Sequence, residues 1–232
     1  MTHRLLNFGD SWAYGAELEP RPEIQQLNYS ACLGKLLGVD SVEHFAMTAS
    51  SVSHMVVQFY NFVDKFYTEI QQGNTKYTAV FFLTAKQRFM MKYQEHWVFL
   101  SPLGAGALPG TSTALTKHND LYFKYIYNDE HCDLMFNNDV ILLQALCRKY
   151  NVDDYYIAGW QDFAFRPQVD LSKIYKQGKV TCAELVEMKK NLADTFDPDP
   201  NNQYLRPNIS HPNALGHQKI AQHLYEWIKS TQ

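Results

Sequence analysis

Short apolar runs at residues 5–8, 41–46, 77–84 and 152–158 alternate along the chain with longer stretches whose apolar positions repeat at helical spacing. The run at 77–84, Tyr-Thr-Ala-Val-Phe-Phe-Leu-Thr, is β-branched and aromatic, as a strand buried on both faces must be. Between the runs, residues 24–37 carry a helical pattern that stops at Gly38. Met55, Val56, Phe59, Phe62, Val63, Phe66 and Ile70 form one helical stripe, with Ser51 or Ser53 placed to cap it and Gly73-Asn74 to end it. Residues 119–150 read as helical with a break near Asn128-Asp129, and residues 211–229 read as a last helix whose first turn holds Pro212. Strands alternating with helices predict an α/β fold: a three-layer α/β/α sandwich around a central parallel sheet. In such sheets sites form beyond the carboxyl ends of the strands, and Ser11, Ala49 and Thr84 all fall on that rim.

A chain of 232 residues suits one domain, here with a loop-rich insertion around 85–117 that carries the turn signals Ser101-Pro102 and Pro109-Gly110. A strand or short helix within its aromatic half, residues 89–99, and one helix near residues 182–191 are the expected local order in otherwise irregular stretches. A net charge of −3 with no basic run argues against a nucleic-acid partner. No apolar run approaches the roughly 20 residues of a membrane helix. Met1-Thr2-His3-Arg4 enters a strand at once with no signal peptide, so an intracellular location is expected. Cys32, Cys132, Cys147 and Cys182 are scattered, which favours reduced core thiols over a disulfide framework or a zinc site. No metal or cofactor is expected, and nothing sets an oligomeric state.

Two motifs carry chemistry. Gly9-Asp10-Ser11 follows the first run directly, and Ser210-His211-Pro212-Asn213-Ala214-Leu215-Gly216-His217 opens the last helix. A serine hydroxyl needs an imidazole to take its proton and donors to hold the oxyanion formed on attack. Ser11 stands where a strand hands over to a turn, so its hydroxyl can project from the sheet edge and its own N–H can serve as one donor. His217 and His223 lie further along the helix, where packing or surface roles are expected.

The pair resembles the SGNH (GDSL-type) hydrolase superfamily, α/β/α sandwiches with the nucleophile serine after the first strand and the catalytic histidine just before the last helix. The resemblance implies Ser11 as nucleophile and His211 as general base. Residues 45–51, Phe-Ala-Met-Thr-Ala-Ser-Ser, look like the second family block, where Ala49 matches a glycine whose N–H completes the oxyanion hole. The third block departs from the family: Lys86 stands where an asparagine donor belongs, with Thr84, Gln87 and Arg88 as possible support. Asn208 replaces the aspartate three residues before the histidine and orients without bringing charge. Asp10 is expected to support the turn. Residues 121–127 and 142–146, with the Thr84-x-x-x-Arg88 spacing, resemble SGNH-like proteins of tailed bacteriophages.

The resemblance implies a serine esterase or deacylase acting on a carboxylic ester or O-acetyl group, with a small molecule or a glycan as substrate. The degenerate third and fourth blocks leave a second reading open, an SGNH-fold binding or structural module. An unrelated flavodoxin-like protein is disfavoured, because no glycine-rich phosphate loop follows the first strand.

Overall fold

The structure, a computed structural model, describes residues 1–16, 18, 26–93, 96–100, 113–188, 201–206 and 209–231. Four parallel strands form the central sheet: β1 (Thr2–Phe8), β2 (Ser41–His44), β3 (Thr75–Leu83) and β6 (Val152–Ala158), in the order β2-β1-β3-β6. Two further strands, β4 (Phe89–Tyr93) and β5 (His96–Leu100), pair with each other as an antiparallel hairpin. The aromatic half of the expected insertion is therefore ordered as strands, and its turn signals at 101–112 lie outside the described residues.

Helices cover both faces. A single turn, α1 (Ser11–Tyr14), follows β1; α2 (Tyr29–Leu37) and α3 (Val52–Gln72) follow in order. After α4 (Thr113–Leu121) comes a π-helical segment (Tyr122–Ile126), then α5 (Asp129–Lys149), the short α6 (Cys182–Leu185) and α7 (Ala214–Thr231). The expected break near Asn128 falls there because the Asn128 side chain caps α5, accepting from the His131 N–H at 3.1 Å. Ser51 caps α3 in the same way, and Gly38 and Gly73 close α2 and α3 in the left-handed conformation that favours glycine. The helix expected near 182–191 is one described turn, Cys182–Leu185, and residues 189–200 lie outside the described set.

Strands β1, β3 and β6 bury both faces toward their carboxyl ends, while the edge strand β2 is half-buried to exposed, and alternate residues part to opposite sides. Leu5, Val80, Phe82, Tyr155 and Ile157 join Leu33 of α2 and Ile220 and Leu224 of α7. Leu6, Phe8, Phe81 and Tyr156 join Phe59 and Phe62 of α3 and Val140 and Leu143 of α5. This is the three-layer α/β/α sandwich, and the near-continuous apolar strands follow from it. Phe8, Phe81 and Tyr156 sit opposite one another on β1, β3 and β6. Their rings stack at 4.7 and 4.9 Å between centroids, with nearly parallel planes. That ladder fixes the register near the carboxyl ends, because a one-residue slip would send every ring to the other face. The loops after β1 and β3 are thereby held side by side on the rim.

The last helix begins later than its proline suggested. Residues 209–212 form a short strand, β8 (Ile209–Pro212), against β7 (Leu205–Arg206), and His211 lies in that strand, not in a helical first turn. The reason is Asn213. Its side chain accepts from the Gly216 N–H at 3.1 Å, as a cap does, so Pro212 precedes the cap.

Candidate active site

Ser11 reaches the rim through a turn with little freedom. Gly9 has φ +154°, and an added Cβ would meet the Cβ atoms of Ala13 and Phe82 at 2.5 and 2.7 Å. Asp10 caps α1, accepting from the Trp12 N–H at 3.0 Å, and Ser11 is the first helical residue. Loop tethers support this turn from below: Asn7 donates to the Ala13 carbonyl at 2.8 Å, and the Tyr29 hydroxyl donates to Asn7 Oδ1 at 2.6 Å. The Tyr29 N–H in turn donates to His217 Nδ1 at 3.2 Å. His217 is buried, which holds its pKa down to about 3 with a smaller contribution from nearby His211. A neutral imidazole that accepts is what this tether needs.

His211 arrives from the other end of the chain. Asn213 anchors its strand, donating from its side chain to the carbonyls of Gln203 at 2.7 Å and Leu205 at 3.2 Å, while its N–H bonds the Tyr204 carbonyl at 2.9 Å. A Cβ on Gly216 would collide with that same Tyr204 carbonyl, which accounts for the glycine. The result is a hydrogen bond of 2.9 Å between Ser11 Oγ and His211 Nε2, across 200 residues of sequence, with both side chains half-buried. Trp12 and Trp160 wall the pair, their rings 4.1 Å apart and each 6.2 Å from the imidazole.

The second block is tied to the first. The loop after β2 is held by the Met47 N–H donating to the Gly9 carbonyl at 3.0 Å, and by the Ser50 N–H donating to the Met47 carbonyl at 3.1 Å. Ala49 between them has φ +62°, the left-handed conformation that favours glycine. Alanine here adopts the turn that a glycine would take freely. Among the described residues no acceptor takes the N–H of Ser11 or of Ala49.

The third block divides. The Lys86 ammonium pairs with Asp133 at 2.8 Å and Asp129 at 3.6 Å on α5, so the side chain expected to replace the family's asparagine is engaged there and not at Ser11. Gln87 bonds Tyr127. Thr84 and Arg88 instead reach the motif: the Thr84 hydroxyl donates to Asp10 Oδ2 at 2.8 Å, and Arg88 Nη1 donates to the same oxygen at 2.9 Å. The Trp160 indole N–H adds a bond at 3.3 Å. Fully buried Asp10 is therefore a hub of hydrogen bonds under Ser11. Sequence reasoning missed Asn7, Tyr29 and Trp160, whose partners lie far away in the chain. Asn208 lies outside the described residues.

Next to this site lies a cleft of about 240 Å³, lined by Val52, Ser53, Arg88, Tyr122, Phe136 and Asp139 among others. Burial raises the Asp139 carboxyl to about 6. Among the described residues no three His, Cys, Asp or Glu side chains gather as metal ligands would, and no helix is long and apolar enough to cross a membrane. In comparisons with known proteins, no family model and no curated protein matches the chain.

Proposed function

We propose that the chain is a serine hydrolase that cleaves a carboxylic ester or O-acetyl group, of the SGNH type its motifs resemble. The observation that carries this reading is the 2.9 Å contact between Ser11 Oγ and His211 Nε2. With its ring proton on Nδ1, His211 accepts the serine proton as Oγ attacks the carbonyl carbon. The charge that develops on the carbonyl oxygen is taken by the N–H groups of Ser11 and Ala49. The tetrahedral intermediate collapses as His211 returns the proton to the leaving alcohol. Water then repeats the sequence on the acyl-enzyme and frees Ser11. Metal and cofactor play no part in this scheme, and an O-acetylated sugar is the substrate class that the resemblance implies.

Hydrolysis of p-nitrophenyl acetate tests it. Ser11→Ala should abolish turnover and His211→Ala should lower it by about 10²–10⁴, the usual worth of a general base. A folded wild-type chain that leaves the ester intact would instead favour the binding or structural module, a reading supported by the engagement of Lys86 with Asp133.

A further inference from the structure

Asp10 carries a charge in a fully buried place directly beside the nucleophile, and Arg88 is the cation that reaches it. A buried carboxylate without a partner is strongly unfavourable, so this pairing is a structural necessity for the turn. Its form is specific. Arg88 Nη1 forks between Asp10 Oδ2 at 2.9 Å and Thr84 Oγ1 at 3.1 Å, while Thr84 Oγ1 donates to the same carboxylate oxygen. The other Asp10 oxygen accepts the Trp12 N–H and so sets the first turn of α1, where Ser11 sits. The Trp160 indole, also held by Asp10, packs against Trp12 and His211. One carboxylate thus orients both the serine turn and an aromatic wall of the histidine.

Arg88 approaches from outside. It comes from the turn after β3, where its N–H bonds the Ala85 carbonyl, and its side chain is 23% exposed and lines the cleft. We propose that Arg88 is a positioning residue for Ser11: its guanidinium clamps Asp10 and Thr84 from the cleft and so fixes the nucleophile turn and Trp160 against His211. This rests on the hydrolase reading above. Both bonds come from the one nitrogen Nη1, which stands one bond further from the backbone than a lysine ammonium would, so lysine would supply the charge but fall short of Asp10 and Thr84.

Chemical rescue tests the clamp. Labelling of Ser11 by a fluorophosphonate should slow about 10–100-fold in Arg88→Ala, in line with a nucleophile displaced by an ångström or less. Methylguanidine, entering through the cleft, should restore the rate saturably, whereas neutral methylurea of similar size should not. Equal rescue by both molecules, rescue by neither, or wild-type labelling in Arg88→Ala would overturn the proposal. Arg88→Lys keeps the charge and serves if the alanine variant does not fold; it should also label more slowly, and labelling at the wild-type rate would count against the clamp. A second readout needs no catalysis. The Trp160 indole N–H resonance, which reports its bond to the same Asp10 oxygen, should shift in Arg88→Ala and return with methylguanidine; a resonance that stays in place overturns the clamp. A wild-type chain that fails to label while Trp160 responds would sink the hydrolase reading alone.

Discussion

Gly9→Ala puts the turn that carries Ser11 under direct test. The new Cβ would stand 2.5 Å from the Ala13 Cβ and 2.7 Å from the Phe82 Cβ, where carbon contacts normally lie at about 3.5–4.0 Å. Neither neighbour can swing aside, because a Cβ moves only with its backbone, and both residues are fully buried. Overpacking of this kind costs about 1–3 kcal/mol, and holding alanine at φ +154° adds a strain of about 1–3 kcal/mol. The sum, about 4 kcal/mol, is a large part of the 5–15 kcal/mol that holds a typical domain folded. Urea unfolding followed by tryptophan fluorescence reads the loss, since buried Trp12 sits in the same turn. Part of the strain can be relieved by moving α1 outward, which takes Ser11 from His211. The fluorophosphonate labelling rate should then fall by about 100-fold even in molecules that stay folded. A variant that loses under about 1 kcal/mol and labels at the wild-type rate would refute the tight-turn reasoning.

Further outcomes follow from the same geometry. Ala49→Gly keeps the N–H and relieves a left-handed alanine, a gain of about 1 kcal/mol that glycine's freedom in the unfolded chain nearly cancels, so stability and labelling should both stay near wild type. Ala49→Pro removes the donor and cannot adopt that φ, and labelling should fall by about 10² or more. His217 has a folded pKa of about 3 against an ordinary 6.5, so the unfolded chain takes up the extra proton. Its contribution to stability is therefore full above the ordinary value and drains away as pH falls toward the folded one. His217→Gln should shrink the stability difference between about pH 7 and pH 5 by about 2 kcal/mol in urea titrations. Asp139, raised to about 6, acts in the opposite direction in both proteins and cancels in the comparison. Phe81→Ala removes the middle ring of the β1-β3-β6 ladder and should cost about 3–5 kcal/mol by the same assay.

The core of the sheet was legible because its inner strands are buried on both faces: a run such as Tyr77 to Leu83 has little alternative to a central strand. Helix ends at Gly38, Gly73 and Ser51 were legible because capping is local chemistry. The placement of Ser11 on the rim also followed from topology alone. What escaped depends on long-range competition. Pro212 fits a helical first turn as well as the end of a short strand, and the decision belongs to Asn213, which finds the carbonyls of residues 203–205 only in the folded chain. Lys86 and Arg88 are two residues apart and equally cationic, yet one meets Asp133 on α5 and the other Asp10 under Ser11. No local rule separates them. For residues 89–99 the sequence left strand and short helix both open, because that stretch mixes aromatics without strict alternation; the structure pairs them as strands.

Peptide-level mass spectrometry after fluorophosphonate treatment tests the Ser11–His211 dyad most directly. A single adduct on the peptide bearing Ser11, formed at least about 10²-fold more slowly in His211→Gln, is the predicted result. A folded wild-type chain that carries no adduct on Ser11, or one whose labelling is indifferent to His211, would contradict it.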